Sequence, residues 1–171
     1  VNYLLKMRAS NRNRVEDYAE KFKVPFFKGE KPWGAKADIL MPAATQNDVD
    51  LSSAKQIAAN GIKYYIEVAN MPTTNEALEY LRAQKGIIVA PSKAVNAGGV
   101  GISALEMAQN AEHLVWSAEE VGGQLHRMME NIVRSSEEAA AEYGLGYDLV
   151  AGANIAGFKK VAQAMYEQGI F

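Results

Sequence analysis

The sequence predicts an α/β protein, a doubly wound parallel sheet followed by a run of helices, and three observations carry that prediction. Short apolar, β-branched runs alternate with amphipathic helical stretches through the first half of the chain. The clearer of those runs end in small, amide-rich residues. From Gly99 onward the strand pattern stops and helical periodicity takes over.

The elements follow in order. Residues 13–22, NRVEDYAEKF, place Val15, Tyr18, Ala19 and Phe22 at helical spacing, so an amphipathic helix is expected there. VPFF at 24–27 reads as a short strand, and ADILMP at 37–42 as a clearer one ended by Pro42. A helix is expected over 51–59, with Asp50 as its N-cap and Gly61 just beyond its end. IKYYIEVA at 62–69 has the β-branched and aromatic content of a buried strand. Thr73 and Glu76 then stand at capping-box spacing and open a helix through Arg82, before the last strand, GIIVAP at 86–91.

The second half predicts a helix over 99–116, one over 117–143 opened by a Ser117/Glu120 capping box, and one over 155–168 with Ile155, Phe158, Val161, Ala162 and Met165 on one face. Gly122 and Gly123 interrupt the second of these at about 1 kcal/mol each relative to Ala; a close contact or a kink would explain them, and the sequence leaves both open.

Composition bounds the function. The chain has 171 residues, about half of them apolar, enough for one domain with a real core. A formal net charge of −2 and scattered Lys and Arg argue against a nucleic-acid surface; the one basic cluster, RASNRNR at 8–14, reads as a solvated helix end. With no cysteine, and only His113 and His126 in charged helical settings, neither disulfides nor a metal centre is expected. No apolar run approaches the roughly 20 residues that span a bilayer, and the first residues lack a signal peptide's apolar core, so the expectation is a soluble cytoplasmic protein.

In open α/β sheets ligands bind beyond the carboxyl ends of the strands. Three loops follow the predicted strands: AATQND, NMPTT and SKAVNAGGVGIS. Their Asn, Gln and Thr side chains offer neutral donors and acceptors suited to a ribose or a carboxamide. Each loop by itself also suits ordinary helix capping; three on one sheet edge favour a ligand site. Gly99–Ala104 fits the loose dinucleotide fingerprint, yet seven residues separate it from the strand and no strand follows, so it fails as a pyrophosphate turn. Its glycines then serve close approach to a ligand or another helix, or a sharp strand-to-helix reversal.

Taken together, ADILMPAATQND, EVANMPTT, APSKAVNAGGVGISALEMAQN and AGANIAGFKKVAQAM, in this order and spacing, resemble the carboxyl-terminal part of the hexameric, NADP-type glutamate dehydrogenases over nearly all of residues 4–171. Leucine and phenylalanine dehydrogenases share the general architecture, but MPTT together with NAGGV is not expected in them. The resemblance implies a Rossmann-like domain truncated by its first βα unit. Residues 1–97 would hold the remaining βα units and 98–171 the hinge and carboxyl-terminal helices, with the amino-terminal substrate domain absent. It implies reversible oxidative deamination of L-glutamate to 2-oxoglutarate and ammonia, with hydride passing to NADP, NAD being the other possibility.

Carried over by residue, Ala44, Thr45 and Gln46 would line the nicotinamide ribose, and Asn70 and Asn96 would hydrogen-bond the nicotinamide half. Val100 and Ser103 would meet the substrate, the Ser103 hydroxyl taking its distal carboxylate. No residue matches the family's catalytic lysine or aspartate, which the resemblance places in the amino-terminal domain, so these residues alone are expected to be inactive. The chain opens within a helix and without an initiator methionine, which favours a piece of a longer protein; a bared sheet edge would then promote self-association. Val68 stands where the family usually has glycine, and Gly122-Gly123 is unusual. A noncatalytic nucleotide-binding regulatory module, or a structural assembly domain, are the competing readings.

Overall fold

The apolar runs at 37–42, 62–69 and 86–91 form three short parallel strands, β1 (Ile39–Leu40), β2 (Tyr64–Ile66) and β3 (Ile88–Ala90), in the order β1-β2-β3. Ile39 pairs with Tyr64, and Tyr64 with Ile88. The strands are shorter than their apolar runs because regular pairing stops at Pro42, whose carbonyl still accepts from both Val68 N (3.1 Å) and Ala69 N (3.0 Å). The computed structural model describes residues 1–12 and 14–169, which fall into two units divided between Pro32 and Trp33.

The first unit contains α1 (Asn2–Ala9) and α2 (Val15–Phe22), joined through Tyr3, which meets Phe22 edge-to-face at 5.2 Å and Tyr18 at 6.1 Å. The expected helical start at Asn13 lies outside the described residues. VPFF at 24–27 is not a strand. A strand needs a neighbour's N–H and C=O groups, and the regular elements of this unit are helices; Phe27 is left two-thirds exposed, at 66%.

In the second unit, parallel strands require crossover connections, supplied by α3 (Leu51–Ala59) and α4 (Asn75–Arg82), which pack against each other. Val49, Ala54, Ile57, Tyr65, Ala77 and Leu81 are fully buried between helices and sheet; a buried Ile or Leu side chain stabilises by roughly 1.5–3 kcal/mol. Asp50 caps α3 as expected, accepting from Ser53 N at 2.8 Å, and Gly61 follows in the left-handed region at φ +71.

The cap of α4 is Thr74, not Thr73. Thr73 turns inward instead and hydrogen-bonds the buried Tyr65 hydroxyl at 2.7 Å. Burial pushes the Tyr65 phenol far above its ordinary value, so it stays neutral, and the Thr73 partner spares it an unsatisfied buried oxygen.

After β3 come α5 (Ser92–Val95), α6 (Ala97–Glu112), α7 (Ala118–Glu142) and α8 (Leu149–Gln168). Ser117 and Glu120 form the expected capping box of α7. The last helix starts at Leu149 rather than at 155, because Asp148 accepts from the amides of Val150 (3.1 Å) and Ala151 (3.0 Å) while holding Arg82 of α4 at 2.6 Å.

The glycines around position 100 do not make a reversal, since Gly98, Gly99 and Gly101 are helical and none has a positive φ. Two of them admit α7: a Cβ on Gly101 would lie 2.2 Å from Met128 Sδ, and one on Gly98 would lie 3.2 Å from Leu125 Cδ1. Gly122 and Gly123 lie in one continuous helix, with open space at Gly122 and only Arg127 Nη1, at 3.7 Å, near Gly123. Gly122→Ala is therefore expected to stabilise the chain by about 0.5–1 kcal/mol in urea unfolding. A destabilised variant would mean that this position is packed by something outside the chain.

Candidate functional site

The carboxyl ends of all three strands open onto one cleft of about 640 Å³. β1 contributes the loop with Ala43, Ala44 and Gln46, β2 the loop with Val68, Ala69 and Asn70, and the segment after β3 supplies Asn96 and Val100. Small side chains leave room for a flat group, and three neutral amides face the same space.

Ordinary capping does not account for those amides. The caps of α3 and α4 are Asp50 and Thr74, which leaves Gln46 and Asn70 without that duty. Asn96 occupies the cap position of α6 and makes no side-chain cap bond; its Nδ2 donates instead to Asn70 Oδ1 at 2.7 Å. Two loops that are distant in sequence are thus joined side chain to side chain at the cleft, and each amide keeps hydrogen-bonding capacity for a third partner.

The loops are held by main-chain bonds as well. Asn47 N donates to Met71 O at 2.9 Å and Val49 N to Pro72 O at 2.9 Å, while Thr74 N donates to Val49 O at 3.0 Å. Asn47 and Met71 both adopt left-handed backbone, at φ +56 and +46. For Asn this conformation is tolerable; for Met, directly before a proline, it is strained and is sustained by the bonds around it.

Of the residues expected from the sequence, Ala44, Gln46, Asn70, Asn96 and Val100 line the cleft. Thr45 and Ser103 do not line it. Ser103 is exposed on α6, three residues beyond Val100 and so on the same helical face, and its hydroxyl donates back to Gly99 O at 3.2 Å. An adjoining cleft of about 700 Å³ shares Gln46 and is lined also by Glu67, Thr73, Ser92, Lys93 and Asn154. Glu67 was not singled out by the sequence; the available signal was an acidic residue inside an otherwise buried strand, IKYYIEVA.

Among the described residues no group of His, Asp and Glu is placed to hold a metal ion. Among the described residues no helix is long and apolar enough to cross a membrane. His113 ends α6 in the left-handed conformation, and His126 sits one turn from Glu130 on the exposed face of α7, so neither histidine approaches the cleft.

Comparison with known proteins bears on this arrangement. The chain is 66% identical over 170 residues to the NAD-specific glutamate dehydrogenase of Clostridium symbiosum, an alignment covering 99% of this chain and 38% of that protein. It is 49% identical over 167 residues to the NADP-specific glutamate dehydrogenase of Escherichia coli K12, covering 98% of this chain and 37% of that one. A solved glutamate dehydrogenase structure superposes on it with a TM-score of 0.95 at 66% identity, over 99% of this chain and 38% of that chain. The chain thus spans little more than a third of the length of these relatives. The profile of the Glutamate/Leucine/Phenylalanine/Valine dehydrogenase family matches residues 1–169, so the chain belongs to that family.

Proposed function

We propose that this chain forms the nicotinamide-binding side of a glutamate dehydrogenase, an enzyme that interconverts L-glutamate with 2-oxoglutarate and ammonia. The observation that carries this reading is the Asn96–Asn70 side-chain pair at 2.7 Å, in a cleft at the carboxyl edge of a parallel sheet. A nicotinamide carboxamide presents both donors and an acceptor, and paired amides complement it without adding charge. When bound, the nicotinamide ring takes up or releases the hydride. Ala44, Thr45 and Gln46 lie at the ribose end of this arrangement.

In the same reading Val100 and Ser103, on one face of α6, meet the substrate, and the Ser103 hydroxyl exchanges its bond to Gly99 for the substrate's distal carboxylate. The truncated Rossmann-like architecture, residues 1–97 as the remaining βα units with 98–171 as hinge and carboxyl-terminal helices, and assembly as a hexamer belong to it too. Both NAD and NADP serve the relatives by name; the greater identity to the NAD-specific enzyme favours NAD over the NADP that the sequence resemblance suggested.

The test is Asn70→Ala and Asn96→Ala in the full-length dehydrogenase that contains this chain. Each is expected to weaken binding of the preferred cofactor about tenfold, the loss of one hydrogen bond to the bound nicotinamide. Titrating wild type with NAD and with NADP settles which is preferred. Cofactor binding without glutamate turnover would favour the noncatalytic regulatory module instead, and absence of any cofactor binding would favour a structural role.

A further inference from the structure

We propose that Glu67 is a positioning residue for the cofactor site, holding the β3–α5 connection so that Asn96 meets Asn70; this rests on the reading of that pair as the nicotinamide contact. Glu67 follows β2 directly and is only 2% exposed. Burying a carboxylate is costly unless it is hydrogen-bonded, so its presence there asks what it holds.

Glu67 N donates to Ala90 O at 3.0 Å, continuing the pairing of β2 with β3. Its Oε2 accepts from Ser92 N at 3.1 Å. Ser92 is the first residue of α5, and the residue before it is Pro91, whose side chain makes no cap bond. The orphan donor at the start of that turn is therefore capped from across the sheet, by a charged acceptor.

The consequence runs one helical turn further. Ser92 O accepts from Asn96 N at 2.9 Å, and Asn96 Nδ2 donates to Asn70 Oδ1 at 2.7 Å. Asn70 lies three residues after Glu67 on the same strand exit. Glu67, Ser92, Asn96 and Asn70 thus close a ring across two loops, in which each hydrogen bond fixes the geometry of the next. The remaining carboxyl oxygen, Oε1, has no hydrogen-bond partner among the described residues, so the main-chain clamp on Ser92 is the polar contact that the buried side chain makes there. Removing it leaves the Ser92 amide unpaired and frees the turn that carries Asn96.

The test uses the full-length dehydrogenase with Glu67→Ala, Glu67→Gln, Asn96→Ala and the double variant E67A/N96A. The readouts are cofactor affinity by fluorescence titration, KM and kcat, and thermal unfolding. Glu67→Ala is expected to weaken cofactor binding about tenfold. Glu67→Gln keeps an acceptor oxygen and should recover most of that loss. The double variant should bind no worse than Asn96→Ala alone, because Glu67 acts through Asn96.

Additive losses, or a Glu67→Gln variant as impaired as Glu67→Ala, would overturn the inference. So would lowered thermal stability with unchanged cofactor affinity in both Glu67 variants. If Asn96→Ala itself leaves affinity unchanged, the nicotinamide reading of the pair fails and this inference falls with it. An effect of Asn96→Ala without one of Glu67→Ala refutes the positioning role alone.

Discussion

Replacing Gly152 by alanine is expected to destabilise the chain by about 3 kcal/mol or more, the largest stability change foreseen for so small a side chain. The reason is the identity of the atoms in the way. A Cβ at Gly152 would lie 2.0 Å from Ser136 O and 2.8 Å from Ser136 C, both backbone, and 3.1 Å from Ala140 Cβ. Backbone within a continuous helix cannot step aside, so α7 and α8 must part along the most extensive contact between elements of the fold. Gly101 offers the contrasting case. Its Cβ would meet the end of Met128, a flexible chain that can rotate away, and Gly101→Ala should cost less. Gly157, on the same helix as Gly152 with open space around it, is the control: its alanine variant should unfold at or above the wild-type urea midpoint. A Gly152→Ala protein that melts with wild type would show that the two helices are not packed this closely.

How much of this was legible in the sequence depended on whether the signal was local. The three strands of the second unit, the Asp50 cap and the Ser117 capping box were read correctly because each is written in adjacent residues. VPFF failed because four apolar residues do not say whether a partner strand exists. The sequence places the start of α8 at 155, past Gly152, whereas Gly152 is a contact residue inside the helix, a role visible only once Ser136 lies beside it. Thr73 and Thr74 show the same limit. Thr73 fits a capping box by its spacing to Glu76, and a tyrosine eight residues earlier in the chain draws it into the core and leaves the cap to Thr74.

The cleft was legible by a different route. Strand ends converge in a parallel sheet, so amide-rich residues after successive strands point to one place without any long-range information. That argument reached Gln46, Asn70 and Asn96. The sequence could not distinguish caps from free amides, and the structure does, by assigning the capping to Asp50 and Thr74 and turning Asn96 toward Asn70. Glu67 lay beyond reach because its partner is a main-chain amide 25 residues away, to which no side-chain pattern points.

The 171 residues by themselves are expected to give no detectable turnover of L-glutamate with NAD or NADP. The cleft is lined by Ala43, Ala44, Gln46, Val68, Ala69, Asn70, Asn96 and Val100, and none of these side chains exchanges a proton near neutral pH. Oxidative deamination must remove protons from the reacting amine and deliver one to the departing ammonia, and a positioned acid or base contributes typically 10²- to 10⁴-fold to such steps. The family resemblance assigns this task to a lysine and an aspartate of an amino-terminal domain, and no residue lining the cleft matches them. Glu67 does not replace them: it is 2% exposed, lines the adjoining cleft, and has one oxygen committed to Ser92 N. The measurement is the appearance of reduced cofactor with the purified 171 residues, beside the full-length dehydrogenase at equal concentration. Binding and chemistry then separate in one experiment, since in the proposed reading both proteins carry the amide pair and the longer one alone carries the acid and base. A rate above buffer from the short chain would place a proton acceptor within these residues and overturn the division of labour proposed for the two halves of the site.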